Sequence, residues 1–146
     1  MNRELNTVVV SLGSNYGDRC GNVSKALDWF KLSFSDCEAS DIYETPEIYG
    51  IGSPYMNAVC ACKVACDRTE LEATLKQYEK DNGRDASARA RGDVPVDIDI
   101  VIWNGEIVRP KDFACNFFRI GLKTLQCGDK DRFLLPSISH WESPLR

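Results

Sequence analysis

The chain contains 146 residues, of which 43% are hydrophobic and 27% are charged. A chain of this length buries roughly two thirds of its unfolded surface, so we predict a single domain spanning residues 1–146. The net charge of −4 and the isoelectric point near 5.0 argue against a nucleic-acid partner, because a general nucleic-acid binder carries a basic domain. No apolar run approaches the roughly 20 residues of a membrane span, so we expect no membrane partner.

The N-terminus and the cysteines predict the compartment. The segment from Met1 to Asn6 lacks the basic start and the cleavage site of a signal peptide, which predicts a cytoplasmic location. The seven cysteines are odd in number and lack the spacing of a secreted disulfide framework, so we expect reduced thiols. Cys60, Cys62 and Cys66 raise the question of zinc. With no C-x-x-C motif and only one histidine, His140, buried apolar thiols are the better interpretation.

The first half of the chain alternates apolar runs with chain breakers. A β-branched run from Thr7 to Leu12 predicts a strand that ends in a turn over Gly13 to Asp18. Apolar residues at helical spacing then predict a helix from about Asn22 to Leu32. Cys37 to Tyr43 alternates loosely and is predicted as a strand. Glu44 to Pro54 is predicted as a loop because it contains two prolines and two glycines.

The second half contains a strand, a helix and a basic segment. Tyr55 to Val64 is predicted as a strand. The clearest helix is predicted from about Arg68 to Asn82, because Asp67 followed three residues later by Glu70 forms a capping-box pattern. Arg84 to Gly92 contains three arginines among small residues without an apolar period. We predict a mobile basic loop there.

A strand from Val94 to Trp103 completes the pattern. Successive side chains of a strand point to opposite faces, so Asp97 and Asp99 share one face while Ile98 and Ile100 face the other way. Adjacent carboxylates repel unless solvent or a cation such as Mg²⁺ neutralises them, and Mg²⁺ typically takes one or two carboxylates plus substrate phosphates. Two interpretations stay open on this pattern alone: a metal site in nucleotide chemistry, or an edge strand with a solvated acidic face.

The predicted order of elements is strand, helix, strand, strand, helix, strand. This βαββαβ succession predicts an α+β, ferredoxin-like fold with one antiparallel sheet and both helices on one face. Beyond it, Glu106 to Val108 is predicted to form a short hairpin partner after the turn at Asn104 and Gly105. Phe113 to Leu125 is ambiguous between helix and strand.

Four blocks of residues follow one another along the chain in the order of a known family's signatures. They are Ser11 to Arg19; Tyr43 to Pro46 followed by Tyr55 to Asn57; Glu79, Gly83 and Arg84; and Asp97 to Ile100. Together they resemble the signatures of the 6-hydroxymethyl-7,8-dihydropterin pyrophosphokinases of folate synthesis. The resemblance spans about Val8 to Val108.

The resemblance implies a pterin-binding group. Thr45, Pro46 and Ile48 would border the pterin, Tyr55 would stack on it, and Asn57 would hydrogen-bond its polar edge. An aromatic face and an amide suit a flat, hydrogen-bonding heterocycle.

It also implies a nucleotide and metal site. Asp97 and Asp99 would hold two Mg²⁺ ions that bridge ATP, the co-substrate, while Glu79, Arg84 and Ile100 would bind the nucleotide. The pyrophosphoryl group of ATP would pass to the pterin hydroxymethyl oxygen with release of AMP. Positioning and charge neutralisation would then supply most of the catalysis.

The arginines that precede the aspartate pair are candidate catalytic residues. Arg84, Arg89 and Arg91 would bring positive charge to the transferring phosphates. The family carries an arginine three residues before the first aspartate, where this chain has Val94. A phosphate contact of that kind contributes several kcal/mol, so Arg89 or Arg91 is expected to replace it if the chain is active.

A second difference lies downstream. The family has a Pro-His segment followed by an arginine and an aromatic residue, whereas Phe113 to Gly121 of this chain contains no histidine; Phe118 and Arg119 are the candidates to serve there. Three hypotheses therefore stay open: an active pyrophosphokinase, a non-catalytic pterin- or nucleotide-binding homologue, and a ferredoxin-like RNA-binding or interaction domain. The acidic isoelectric point disfavours the third. The sequence makes no prediction of oligomeric state.

Overall fold

The structure is a computed structural model that describes residues 4–128 and 131–136; residues 1–3 of the predicted N-terminal segment and His140 lie outside the described residues. The elements in chain order are β1 (Asn6–Ser14), α1 (Arg19–Ser33), β2 (Ser35–Ala39), β3 (Tyr43–Thr45), β4 (Tyr55–Val64), α2 (Arg68–Asp81), α3 (Ala86–Arg91), β5 (Asp97–Trp103), β6 (Glu106–Ile107), α4 (Pro110–Phe113) and α5 (Asn116–Gln126).

The strands form one antiparallel sheet in the order β2-β4-β1-β5-β6, and the short β3 also pairs with β4. In chain order, β1, β2, β4 and β5 are the four strands of the βαββαβ succession, and α1 and α2 are its helices. The predicted ferredoxin-like plan is therefore confirmed, and β1 lies between β4 and β5 at the centre of the sheet.

Apolar residues cover both faces of this sheet. On one face α1 and α2 pack on the strands through a core that includes Phe30, Leu71 and Ile98. On the other face lies a second core, in which Phe118 and Leu122 of α5 are buried completely. The two helices of the βαββαβ unit thus share one face as predicted, and the C-terminal segment covers part of the opposite face.

Local hydrogen bonds explain where the elements differ from the prediction. The first helix begins before Asn22 because Asp18 caps it. The predicted basic loop from Arg84 to Gly92 is wrong in part, since α3 lies within it. Asp85 caps α3 by accepting a hydrogen bond from Ala88 N at 2.8 Å, and Gly92 ends it with φ of 74°.

The predicted second strand is divided into β2 and β3. Ser40 lies between them, and its side-chain oxygen accepts a hydrogen bond from Val59 N at 2.9 Å, a donor that would otherwise serve the strand ladder. Its own N–H donates to Val59 O, also at 2.9 Å. The chain bends there, so that β3 pairs with the beginning of β4 beside the predicted pterin residues.

The structure also describes the cysteines, which were expected to be reduced, and the helices, none of which was expected to span a membrane. Free thiols occur at Cys20, Cys37, Cys60, Cys62, Cys115 and Cys127, and Cys60 and Cys62 are buried in the core. Within residues 4–128 and 131–136, no group of three His, Cys, Asp or Glu side chains is arranged to hold a metal ion. No helix in the same ranges has the length and apolar character needed to cross a membrane.

Candidate functional site

Asp97 and Asp99 lie on β5, on the sheet face opposite to α1 and α2. Their neighbours Ile98 and Ile100 are buried in the α1–α2 core, which fixes the orientation of the strand. On β1, Gly13 is the register partner of Asp97 and Ser11 is that of Asp99. Both aspartates therefore lie directly beside the central strand.

Asp97 belongs to an ion-pair network that Arg84 forms with it and with the buried Glu79. The guanidinium Nη1 of Arg84 lies 2.5 Å from Asp97 Oδ1 and 3.2 Å from Glu79 Oε1. Glu79 is only 1% exposed and accepts a hydrogen bond from Ile98 N at 2.8 Å. Burial raises the pKa of Glu79, while its bond to Ile98 opposes that shift. Glu79 thus joins the end of α2 to the strand that carries the aspartates.

The two aspartates differ in their electrostatic environment. Burial, and then the neighbouring Asp97, raises the pKa of Asp99 from 3.8 to about 7. Burial also opposes ionisation of Asp97, but hydrogen bonds from Asp99 and Arg84 keep the pKa of Asp97 below its ordinary value. Lys76 Nζ lies 3.8 Å from Asp99 Oδ1 and Arg109 Nη1 lies 4.0 Å from it, both beyond a normal hydrogen bond. Within the described part of the chain, Asp99 therefore lacks the close cationic partner that Asp97 has in Arg84.

A cavity of about 250 Å³ opens beside the aspartates, and we call it the aromatic cavity. It contains every residue that the resemblance assigned to the pterin, together with both aspartates. The lining residues are Ser11, Leu12, Gly13, Thr45, Pro46, Glu47, Ile48, Tyr55, Asn57, Asp97, Asp99, Arg109, Asp112 and Phe117. The structure therefore brings the predicted pterin residues together at the predicted metal residues.

Asn57 presents a fixed amide to this cavity. Its Nδ2 donates to Thr45 Oγ1 at 2.7 Å, and the residue is 3% exposed. Gly13 faces it on β1, where an added Cβ would lie 3.3 Å from Tyr55 Cδ2 and 3.5 Å from Asn57 Oδ1. The missing side chain of Gly13 leaves room between the amide oxygen and the ring of Tyr55.

Phe117 also lines the aromatic cavity, although it was not among the residues predicted from the sequence. It lies in the first turn of α5, where Tyr43 Oη donates a hydrogen bond to Phe117 O at 2.5 Å. The predicted candidates of this segment do not line the cavity: Phe118 is fully buried and Arg119 is 8% exposed, in the core under α5. One position along a helix turns a side chain by about 100°, so an assignment shifted by one residue points into the core.

A second cavity, of about 770 Å³, lies between α2 and β5, and we call it the α2 cavity. Its lining residues come from α2, β5 and the segment through β6 to the start of α4. They are Arg68, Thr69, Glu72, Ala73, Leu75, Lys76, Ile98, Asp99, Ile100, Glu106, Ile107, Val108, Arg109 and Pro110. Of the residues predicted to bind ATP, Ile100 lines this cavity, whereas Glu79 and Arg84 lie in the network beneath the aspartates.

Arg89 and Arg91 are the predicted catalytic residues that the structure does not bring to the site. Both are exposed on α3 and line neither cavity, and Arg91 Nε is bound to Asp93 at 2.8 Å. The nearby Val94 is held by its backbone, since its N–H donates to Asn15 Oδ1 at 2.6 Å and its carbonyl accepts from Asn15 N at 2.9 Å. These two hydrogen bonds join the segment before β5 to the turn after β1.

The charge of the cluster fits a divalent cation. Three cations, Lys76, Arg84 and Arg109, face four carboxylates, Glu79, Asp97, Asp99 and Asp112. When Asp99 is ionised the cluster carries a net negative charge, and it would repel a polyphosphate on its own. Two carboxylates together with phosphate oxygens form a donor set that Mg²⁺ accepts. A bound Mg²⁺ would offset the burial and the repulsion from Asp97 that raise the pKa of Asp99.

Comparison with protein families matches residues 9–127 to the family described as 7,8-dihydro-6-hydroxymethylpterin-pyrophosphokinase (HPPK). Among curated proteins, the chain is 36% identical over 113 residues to a folic acid synthesis protein of Dictyostelium discoideum, covering 73% of this chain and 16% of the relative. It is 36% identical over 104 residues to the mitochondrial folate synthesis bifunctional protein of Pisum sativum, covering 70% of this chain and 20% of the relative.

A third relative has a more similar length. It is the 2-amino-4-hydroxy-6-hydroxymethyldihydropteridine pyrophosphokinase of Aquifex aeolicus, which is 31% identical over 107 residues, or 72% of this chain and 66% of the relative. The chain thus matches less than two thirds of the length of each of these three relatives. The family match covers most of the sequence and includes Asp97 and Asp99. The chain therefore belongs to the 7,8-dihydro-6-hydroxymethylpterin-pyrophosphokinase family.

Proposed function

We propose that this protein transfers the pyrophosphoryl group of ATP to 6-hydroxymethyl-7,8-dihydropterin, in the presence of Mg²⁺, and releases AMP. One observation carries the proposal: Asp99 lines both a cavity suited to a flat heterocycle and one large enough for a nucleotide, and Asp97 lines the first of these beside it. The name of the Aquifex aeolicus relative, a pyrophosphokinase of a hydroxymethylpteridine, agrees with this arrangement.

The aromatic cavity supplies the groups that a pterin needs. Tyr55 and Phe117 offer two aromatic rings for stacking, and Pro46 and Ile48 add apolar contacts. Because Asn57 Nδ2 is bound to Thr45, its Oδ1 is the atom available to accept from a ligand N–H. These contacts favour a planar ligand with donors along one edge.

The α2 cavity supplies the groups that a nucleotide needs. Ile98 and Ile100 give it an apolar wall, and Arg68 and Lys76 give it positive charge. Asp97 and Asp99 would hold the metal, which neutralises phosphate oxygens and fixes their orientation when it is bound. We extend the proposal to two Mg²⁺ ions and to a cytoplasmic location, although the pea relative is named as mitochondrial.

The transfer requires no side-chain nucleophile. The pterin hydroxymethyl oxygen attacks the β-phosphorus of ATP, the bond from that phosphorus to the α–β bridging oxygen breaks, and the hydroxyl proton is lost to solvent. The protein contributes by holding both substrates in line across β5 and by placing charge near the transferring group.

One observation favours a non-catalytic pterin- or nucleotide-binding protein as the second candidate. Position 94 carries valine, and the arginines expected to replace the family's arginine, Arg89 and Arg91, lie outside both cavities. Such a protein would bind the pterin without transferring phosphate.

An assay of AMP release decides between the two. The protein is incubated with Mg²⁺, ATP and 6-hydroxymethyl-7,8-dihydropterin, and AMP formation is compared with that of a protein-free control and of the Asp97→Ala variant. AMP formed only by the unaltered protein supports transfer. Pterin binding, measured by fluorescence, without AMP formation supports the non-catalytic candidate.

The Asp97→Ala variant also tests the metal role through binding alone. It should lose Mg²⁺-dependent binding of a non-hydrolysable ATP analogue and keep most of its pterin affinity, because Tyr55, Asn57 and Phe117 are unchanged. Nucleotide binding that stays equally dependent on Mg²⁺ in the variant would contradict the role of Asp97.

A further inference from the structure

Two side chains of the described residues line both cavities, namely Asp99 and Arg109. If the nucleoside lies in the α2 cavity and the acceptor in the aromatic cavity, as the proposed function requires, the polyphosphate passes between them at this junction. Arg109 is the cationic side chain of this junction, so the passing phosphates meet it beside the metal that Asp99 would help to hold.

Arg109 is held at the junction by its neighbours in the chain. Val108 N donates to Val101 O at 2.9 Å, which ties the preceding residue to β5, and Pro110 begins α4 directly afterwards. Asp112, in the same short helix, accepts a hydrogen bond from Arg109 Nε at 2.6 Å. The guanidinium is thereby fixed on its Nε side.

The terminal nitrogens of Arg109 face an acidic group without binding it closely. Nη1 lies 4.0 Å from Asp99 Oδ1, beyond hydrogen-bond distance, and the side chain is 49% exposed. A guanidinium held through Nε keeps two NH₂ groups with which to bind phosphate oxygens in a bidentate manner.

The other cations near the aspartates are less suited to this contact. Arg84 is bound to Glu79 and Asp97 and lines neither cavity. Lys76 lines only the α2 cavity and lies 3.4 Å from Glu79. Arg109 is therefore the basic residue that reaches both sides of the junction.

We propose that Arg109 is a catalytic residue that binds the polyphosphate of the nucleotide at the junction and stabilises the charge that develops on the transferring group. It supplies the positive charge that was predicted to come from Arg89 or Arg91 in compensation for Val94. This inference rests on the proposed function, and its test must separate the two.

The test compares Arg109→Ala, Arg109→Lys and the unaltered protein in two measurements. In binding with Mg²⁺, Arg109→Ala should lose affinity for a non-hydrolysable ATP analogue by roughly tenfold or more, while its affinity for AMP changes by less than about threefold, because AMP lacks the β- and γ-phosphates. In the AMP-release assay, kcat should fall by roughly 100-fold or more. Arg109→Lys should lie between, since lysine keeps the charge without the bidentate fork.

Lys111→Ala is the matched control, because Lys111 is an exposed cation in the same short helix that lines neither cavity. It should resemble the unaltered protein in both measurements. If Arg109→Ala retains kcat and analogue affinity within about threefold of the unaltered protein, the inference is wrong while the proposed function stands.

Failure of the proposed transfer can also be distinguished from failure of the inference about Arg109. If the unaltered protein binds the analogue but forms no AMP, the proposed transfer fails, and the selective loss of analogue affinity in Arg109→Ala still supports the phosphate contact. If the unaltered protein does not bind the analogue at all, the inference fails together with the nucleotide site.

Discussion

The carboxylate of Glu79 accepts a hydrogen bond from the backbone N–H of Ile98, the residue between the two aspartates, at 2.8 Å. Glu79 is a buried residue near the C-terminal end of α2, so this bond fixes that end of the helix against β5. Its second oxygen lies 3.2 Å from Arg84 Nη1, which in turn binds Asp97. A single buried side chain thus sets the position of both Arg84 and the aspartate strand.

Replacing Glu79 should therefore affect stability more than it affects any direct ligand contact. Glu79→Ala removes the acceptor of a buried N–H and one partner of Arg84, and we expect the free energy of unfolding to fall by about 2–4 kcal/mol. Glu79→Gln keeps an acceptor for Ile98 and should lose about 1 kcal/mol. Urea denaturation measures both values.

Lys80→Ala, an exposed change on the same helix, is the control and should alter stability by less than about 0.5 kcal/mol. Equal losses in Glu79→Ala and Glu79→Gln would show that the charge of Glu79 matters and that its bond to Ile98 does not.

Asp99 should make the metal-free protein less stable as the pH rises. Its pKa is raised from 3.8 in the unfolded chain to about 7 in the folded protein, so the folded state binds the proton more tightly. The stabilisation from this proton is fully present below about pH 4 and is lost as the pH rises through 7. Asp99→Asn, which imitates the protonated acid, should therefore raise the free energy of unfolding by about 1–3 kcal/mol at pH 8 and by little at pH 4.

The same variant should lose the stabilisation by Mg²⁺ that the unaltered protein shows at pH 8. Thermal unfolding with and without Mg²⁺ at pH 4 and pH 8 measures both effects. Asp81→Asn, which changes an exposed carboxylate on α2, is the control and should show neither effect. If Asp99→Asn raised the free energy of unfolding equally at the two pH values, the raised pKa of Asp99 would be contradicted.

The sheet and the aromatic cavity were largely predictable from the sequence. A β-branched run and the alternation of apolar residues identified the strands, and the D-I-D-I spacing placed two carboxylates on one face irrespective of the rest of the fold. Thr45, Tyr55 and Asn57 were predicted through a resemblance that depends on local blocks, and these blocks lie on adjacent strands β3 and β4.

Residues whose position depends on α5 were harder to predict. This helix has Phe118, Leu122 and Leu125 at helical spacing, but its N-cap is Cys115, which makes no side-chain capping bond, so the usual start signal is absent. Its approach to the sheet depends on Gly121, where an added Cβ would lie 2.5 Å from Val59 Cγ2. Such a tertiary contact leaves no local pattern.

Gly13 should control the width of the aromatic cavity. In Gly13→Ala the new Cβ would lie 3.3 Å from Tyr55 Cδ2, so the ring must shift by a few tenths of an ångström. We expect pterin affinity to fall by roughly 5-fold to 10-fold, whereas the free energy of unfolding should change by less than about 1 kcal/mol because alanine suits a strand better than glycine. Fluorescence titration measures the affinity.

Binding of the ATP analogue provides the internal control for Gly13→Ala, since Gly13 does not line the α2 cavity. A parallel loss of pterin and nucleotide affinity would indicate a distorted sheet in place of a narrowed cavity.

Tyr43 should position Phe117 without touching the ligand. Its hydroxyl donates to Phe117 O at 2.5 Å and accepts from Gly121 N at 3.1 Å, so it joins β3 to the first two turns of α5. Burial raises the pKa of Tyr43, so the hydroxyl keeps the proton that it donates. Tyr43→Phe should lower the free energy of unfolding by about 1–2 kcal/mol and weaken pterin binding, because the carbonyl and the ring of Phe117 are released together.

Tyr49→Phe removes a hydroxyl from a side chain that is 79% exposed and should change neither quantity. The ring of Phe117 can be tested separately with Phe117→Leu, which should weaken pterin binding while leaving the bonds of Tyr43 to the backbone in place. If Tyr43→Phe lowers pterin affinity, the same substitution made in the Phe117→Leu background should lower it little further, because both changes act on one ring. Losses that add fully in the double variant would show that Tyr43 acts on the cavity by another route.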